Sequence, residues 1–255
     1  MMNIKNIIKQ SILWTGTIFH RNHKSKILFY HDIYRTKNYK ALDAQVYMGT
    51  PLEIFKQHVE VIRKEGFEIV PRITKPEGQV CIMLDDGFRG IYECRQWFYE
   101  NQIYPTIFLP VAYIGQEGIL TRDEILDLQQ HGFNFECHSW SHGVLTQWND
   151  QELVRELGDS RKFLSELLGK DVTEICLPVG YYCDHLLLAI KKYGYKEVYS
   201  SIAGNYDEKY DGMRRRNLCQ FATPHEVKLI LRGGNESIKH RYESMHHVQQ
   251  GFKVE

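Results

Sequence analysis

The chain has 255 residues, with 32 Lys and Arg balanced by 32 Asp and Glu. A hydrophobic fraction of 43%, a charged fraction of 25% and only seven prolines exclude a disordered or collagen-like chain. The length is enough for a large core without disulfide staples, and zero net charge gives no global pull toward nucleic acid. The six cysteines (Cys81, Cys94, Cys137, Cys176, Cys183 and Cys219) form no C-x-x-C pair and read as scattered reduced thiols. No stretch approaches the ~18 apolar residues of a membrane span.

Residues 1–23 form a segment of their own. Ile4, Ile7, Ile8, Ile12 and Leu13 recur at helical spacing, with Lys and Gln between them. The run from Ser11 to Phe19 is broken by Thr15, Gly16 and Thr17 and meets no small-residue cleavage site, so no secretory signal is expected. The spacing predicts a short amphipathic helix lying on a membrane surface or on the body of the fold. The expected location is the cytoplasm, with a peripheral seat at the inner membrane face if the helix meets lipid.

From residue 24 to 234 strand-like and helix-like segments alternate. Seven strands are predicted at Ile27–His31, Phe67–Val70, Val80–Leu84, Thr106–Leu109, Phe133–Cys137, Glu174–Leu177 and Val198–Ile202. Thr50-Pro51-Leu52-Glu53, Thr121-Arg122-Asp123-Glu124 and Thr223-Pro224-His225-Glu226 each read as a capping box opening a helix. Those helices stop at Gly66, Gly132 and Gly233-Gly234. Further helices are predicted at Arg89–Asn101, at Asp150–Leu168 and at Asp184–Tyr193. Strands each followed by a helix argue for an α/β fold with a parallel sheet, doubly wound or closed into a barrel, whose chemistry gathers at the C-terminal strand ends. The polar stretch 235–255, with His240, His246 and His247, is expected to be a loosely ordered tail.

Two strand ends carry the chemistry. Val80–Leu84 delivers Asp85 and Asp86 side by side, followed by Gly87. An Asp-Gly turn accounts for one of these acids; two adjacent anions repel unless a cation or proton stands between them. After Phe133–Cys137 come His138 and His142, separated so that both imidazoles can face one point. Two histidines and a carboxylate from a neighbouring strand make an open three-ligand site of the kind Zn²⁺ uses in hydrolysis.

At this point a family resemblance appears. Met83-Leu84-Asp85-Asp86-Gly87 resembles the T-F-D-D-G motif of the polysaccharide deacetylases, the NodB-homology or carbohydrate esterase family 4 group. His138-Ser139-Trp140-Ser141-His142 resembles their H-[ST]-x-x-H motif, and Cys176-Leu177-Pro178-Val179-Gly180 their R-x-P-x-G motif. The resemblance implies a distorted (β/α) barrel of about seven parallel strands in a bacterial-type protein. It implies a divalent metal, Zn²⁺ first with Co²⁺, Ni²⁺ or Mn²⁺ as alternatives, and removal of acetyl groups from glycans. By position, Asp85 matches the general base, and Asp86, His138 and His142 the metal ligands. The backbone N–H near Val179 matches the oxyanion donor.

The sequence departs from the family pattern in two places. The third-motif Arg that orients the base falls on Cys176, as a small residue does in the biofilm poly-N-acetylglucosamine deacetylases. No L-x-H motif for the general acid is found near the C-terminus. Tyr30-His31-Asp32 resembles the Y-H-D segment that serves this purpose in those biofilm enzymes, making His31 the candidate acid. His225 is the alternative, less suited because a helix N-terminus disfavours the imidazolium.

Trp140, Tyr181 and Tyr182 are candidate sugar platforms, and Arg214-Arg215-Arg216 reads first as a solvated basic run. The expected partner is an acetylated amino-sugar glycan or envelope-polysaccharide precursor, not nucleic acid. The competing readings are a deformylase or deacylase of a lipid-linked amino sugar, and a catalytically impaired glycan-binding barrel.

Overall fold

In a computed structural model that describes residues 4–35 and 49–253, each of the predicted apolar runs pairs in parallel with a neighbour. Residues 1–3, 36–48 and 254–255, and the side chains of residues 4–7, Ile4 and Ile7 among them, lie outside that description. In chain order the main elements begin with α1 (Ile4–Phe19), β1 (Lys26–Tyr30), β2 (Asp32–Tyr34), β3 (Gly49–Pro51), α2 (Leu52–Lys64), β4 (Glu68–Ile69) and β5 (Gln79–Leu84). Next come α3 (Gly90–Asn101), β6 (Thr106–Leu109), α4 (Arg122–Gln130), β7 (Asn134–Cys137), α5 (Asp150–Leu153) and α6 (Ser160–Leu168). The last are β8 (Glu174–Cys176), α7 (Asp184–Lys192), β9 (Glu197–Tyr199), β10 (Asn217–Leu218), α8 (Pro224–Leu231) and α9 (Lys239–His246).

The main sheet has eight strands in the order β10-β1-β5-β6-β7-β8-β9, every pair parallel, with β4 beside β5. β1 runs along one edge of β5, so β4, opposite Gln79 and Val80, and β6, opposite Met83 and Leu84, share the other edge at different heights. All residues of β1, β5 and β6 are buried, as expected for a parallel sheet covered on both faces.

The ends of this sheet are joined by the segment that leads into β10. The Arg214 amide donates to the Val198 carbonyl, the Ser200 amide to Arg214, and the Arg216 amide to Ile202. A few residues later Asn217 and Leu218 pair with β1. One stretch of chain therefore bridges β9 to β1 and closes a distorted (β/α) barrel.

Local chemistry explains the starts of α4 and α8. Thr121 and Thr223 form complete capping boxes with Glu124 and Glu226. The box predicted at Thr50 does not form. Pro51 is the cap residue with no side-chain bond, because the Thr50 hydroxyl donates to the Gln220 carbonyl and Glu53 pairs with Lys56. The helix predicted at Asp150–Leu168 is interrupted by a π-helical stretch, Val154–Asp159, between α5 and α6. The polar tail is not loose. It contains α9, and its later residues bond back to the barrel through Tyr182 and Thr146. All six thiols are free and buried.

Under α2, His58 is fully buried, its Nε2 donating to the Ala222 carbonyl and its Nδ1 accepting from the Tyr30 hydroxyl. That arrangement suits the neutral ring, and burial pushes His58 down to about 4. The unfolded chain takes up this proton near pH 6.5, the folded chain only near 4, so stability falls as pH drops through that window, by roughly 3 kcal/mol in all. Chemical denaturation between pH 7 and 4 should show this loss, and a His58→Gln variant should lose markedly less over the same range. Equal pH slopes for the two proteins would contradict the assignment.

Candidate active site

The barrel mouth is built from strand ends. Past β5, the Asp85 amide continues the sheet by donating to the Tyr30 carbonyl at 3.0 Å. The chain then turns sharply, Asp86 and Gly87 both at φ +71°. A Cβ on Gly87 would lie 2.6 Å from Leu109 Cδ2, so a side chain here would displace that buried tip, and the positive φ favours glycine as well. Past β7, the His138 amide donates to the Leu109 carbonyl, and a tight loop brings His142 back beside it, ring centroids 4.9 Å apart. Among the described residues six non-glycine positions have positive φ; four of them (Asp86, Ser139, His142 and Val179) lie in the three motif loops. Such conformations cost of order 1–3 kcal/mol each and persist where surrounding structure enforces them.

Here that structure includes Ser139, whose Oγ accepts from the His142 amide, and Glu156, whose Oε2 accepts from the amides of Trp140 and Ser141. Glu156 is buried and sits in the π-helical stretch, a local widening of the helix of the kind frequent at functional sites.

The two adjacent carboxylates are buried and have different partners. Asp85 is gripped bidentately by Arg216, Nη1 to Oδ1 at 2.7 Å and Nη2 to Oδ2 at 2.8 Å. Arg216 is wholly buried, donates its Nε to the Ser200 carbonyl and stacks on Phe29, 4.1 Å from the ring centroid. Burial works against ionised Asp85, but Arg216 outweighs it and holds the carboxyl below its ordinary value. Asp86 instead faces the two imidazoles, its Oδ1 2.9 Å from His142 Nε2 and 3.4 Å from His138 Nε2. Neither contact has hydrogen-bond geometry, and Oδ1 is a buried oxygen without a hydrogen-bond partner. Burial again opposes the charge, and the imidazoles in their protonated form outweigh it, holding Asp86 well below the usual carboxylate range; a divalent ion would replace those protons and leave both rings neutral.

Two overlapping donor sets could hold a cation, Asp86–His138–His142 and Asp85–His138–Cys176, the atoms of each within 4.8 Å of one another. The second is already filled by a cation of the protein's own. Arg216 covers both Asp85 oxygens and lies 2.7 Å from the Cys176 sulfur, and burial keeps the Cys176 thiol well above its ordinary pKa, hence neutral. The first set fits a divalent ion. His138 Nδ1 donates to the Cys176 carbonyl at 2.8 Å, which leaves Nε2 with its lone pair toward Asp86 Oδ1. One carboxylate and two neutral imidazoles with an open side are the donors expected of a hydrolytic zinc site.

His31 stands at the same mouth, one residue past the Tyr30–Leu84 pair, and its Nδ1 donates to Gln220 Oε1. Nε2 is left to take or give the second proton. His225 is exposed in the first turn of α8, and no contact ties it to the carboxylates among the described residues. Val179, left-handed at φ +60°, turns its side chain outward. Tyr181 packs on Phe252 at 4.8 Å, and Trp140 on Phe163 beneath Arg155. Tyr182 is not an open platform: it is fully buried and its hydroxyl donates to Asp211.

The basic run is not solvated either. Arg214 pairs with Glu197, Arg215 is buried against Glu243, and Arg216 is the partner of Asp85. Arg216, Gln220 and Glu156 are the site residues that sequence reasoning missed. The one available signal was the place of the run just before β10, where an extended chain turns successive side chains to opposite faces and so cannot keep all three in solvent.

The two donor sets make separable predictions. In equilibrium dialysis with Zn²⁺, Asp86→Ala and His142→Ala should each lose at least about tenfold in affinity. Cys176→Ala should bind as the parent does. The reverse pattern would move the ion to Asp85 and Cys176.

Residues 72–198 match the family model described as polysaccharide deacetylase. YxkH of Bacillus subtilis is 26% identical over 184 residues, 68% of this chain and 63% of that protein. The chain spans about three fifths of the length of the curated relatives it matches. Among solved structures, the Streptococcus pyogenes deacetylase PplD in complex with acetate superposes with a TM-score of 0.70 at 19% identity, covering 82% of this chain and 98% of that one. IcaB from Ammonifex degensii superposes with a TM-score of 0.67 at 16% identity, covering 84% and 98%. At these identities the superpositions establish the barrel fold alone; it is the matched segment that assigns the family, and the chain carries, over residues 72–198, a domain of the polysaccharide deacetylase family.

Proposed function

We propose that the chain is a metal-dependent hydrolase that removes N-acetyl groups from an acetamido sugar in a glycan or cell-envelope polysaccharide precursor. The observation that carries this reading is the division of labour between neighbouring carboxylates: Asp85 is locked by Arg216 while Asp86 faces His138 and His142. Asp86, His138 and His142 would hold the ion. When bound, a divalent cation, Zn²⁺ first, supplies Lewis acidity toward water and toward the amide carbonyl.

Asp85 is the general base. It is ionised at neutral pH, and the bidentate Arg216 contact leaves each oxygen a lone pair with which to take a proton from the attacking water. The guanidinium fork also fixes the carboxylate plane, so the base is pre-aimed. His31, held by Gln220, delivers a proton to the departing sugar nitrogen, and the Val179 amide is the proposed donor to the developing oxyanion. The products are acetate and a free amino sugar, with the water oxygen retained in the acetate. In the same reading the substrate is met at or near a membrane through residues 1–23.

Acetate release from chitin-type oligosaccharides, with and without chelator, tests the reaction. Asp85→Asn should keep bound metal and lose about 10³-fold or more in kcat. His31→Ala should lose roughly 10²-fold with metal retained, whereas His225→Ala should be unchanged. Because Arg216 holds Asp85 low, Arg216→Lys should lower kcat and move the acidic limb of the kcat/KM profile to higher pH. Formate released in preference to acetate from matched substrates would identify a deformylase. Full activity of Asp85→Asn would remove it as the base.

A further inference from the structure

A helix that docks on a domain ordinarily turns its large apolar side chains inward. Where its side chains are described, α1 buries one large apolar side chain, Leu13, and exposes four. Its inward face is Leu13, Gly16 and Lys9. Leu13 is buried, a Cβ on Gly16 would lie 2.2 Å from the Gly234 carbonyl oxygen, and Lys9 pairs with Glu226 at 3.1 Å. Outward stand Ile8, Trp14, Ile18 and Phe19, at 54, 58, 53 and 74% exposure. At 3.6 residues per turn these four fall within roughly 140° of the helix circumference. A close backbone seat through small and polar residues thus leaves the apolar stripe unpartnered.

Charge says what covers it. The first 31 residues hold Lys5, Lys9, Arg21, Lys24 and Lys26 and no acid; the first carboxylate is Asp32. In a chain of zero net charge this segment carries five positive charges and the remainder five negative. Lys9 and Lys24 are paired to barrel acids, but Arg21, exposed just beyond Phe19, has no acidic partner among the described residues. Lys26 is buried and bonded to Asn22, so among the described residues Arg21 is the cation left beside the apolar stripe, and a second copy would bring it no acid from this face. An anionic surface with an apolar layer beneath matches both properties. α1 has 16 residues, and no helix among the described residues is long and apolar enough to cross a bilayer, so the contact is lateral.

We propose that the outward face of α1 docks on an anionic lipid bilayer, with Trp14, Ile18 and Phe19 entering the headgroup boundary and Arg21 meeting lipid phosphate. This rests on the location part of the reading above and not on its chemistry, and the test involves no turnover. The full chain is floated with vesicles of phosphatidylcholine alone or with about one third phosphatidylglycerol, at low and high salt, and its solution mass is measured by light scattering. The expected result is binding that is stronger on the anionic vesicles and weakened by salt. A Trp14→Ser/Phe19→Ser double variant should melt as the parent does and bind vesicles at least roughly tenfold less. Arg21→Gln, which leaves the apolar stripe intact, should reduce the preference for anionic over neutral vesicles. Absence of binding to anionic vesicles overturns the proposal. So does a dimer that the double variant dissolves, which would make the occupant a second copy. Either outcome sinks this inference and leaves the deacetylase reading, which is tested separately, standing.

Discussion

Two carboxylates on consecutive residues, both buried, are the constraint around which this barrel is organised. Neither could remain ionised in so enclosed a place without a cation against it, and one cation cannot serve both. The protein answers with different partners. Asp85 receives a guanidinium fixed in a two-pronged contact. Asp86 receives two imidazoles that approach closely without satisfying its inner oxygen. That asymmetry makes one acid a rigid proton acceptor and the other a ligand in waiting. Were both paired to arginine, no cation site would remain.

The guanidinium reaches Asp85 because of how the barrel closes. The stretch that joins β9 to β1 must cross the gap between the two sheet ends, and in doing so it places Arg216 on Asp85 while its neighbours bind Glu197 and Glu243. Closure of the fold and orientation of the base are thus one structural event. The same stretch continues into Gln220, which sets the tautomer of His31 and accepts the Thr50 hydroxyl at its backbone. On the opposite wall the π-helical turn carries Glu156 under the strained loop that presents His142. Supports from distant parts of the chain converge on loops whose backbone angles would otherwise relax.

Much of this was legible beforehand because it is local. Strands announced themselves as β-branched and aromatic runs, helices through Thr121 and Thr223 caps, and the acid and imidazole pairs through their place at strand ends. What stayed hidden was set by contacts remote in sequence. Thr50 looked like a cap until Gln220 took its hydroxyl. Three consecutive arginines look solvated in any window of the sequence, and only barrel closure assigns Arg216 to Asp85. The loss of an arginine at position 176 read as a possible defect, yet the position is filled in space from 40 residues further along the chain, across the Cys176 sulfur. The tail looked loose because its anchors, Tyr182 and Thr146, are far away in sequence. The orientation of α1 escaped notice for a related reason: periodicity reports that an apolar stripe exists, not which way it faces.

The central claim is that Arg216 takes Asp85 out of contention and leaves Asp86 and the two imidazoles as the cation site. Zinc K-edge X-ray absorption on the zinc-loaded protein tests this most directly, because the first coordination sphere separates the two donor sets. The account predicts a shell of light atoms only, oxygen and imidazole nitrogen at about 2.0–2.1 Å. A sulfur scatterer at about 2.3 Å, the signature of Cys176 as a ligand, would contradict it.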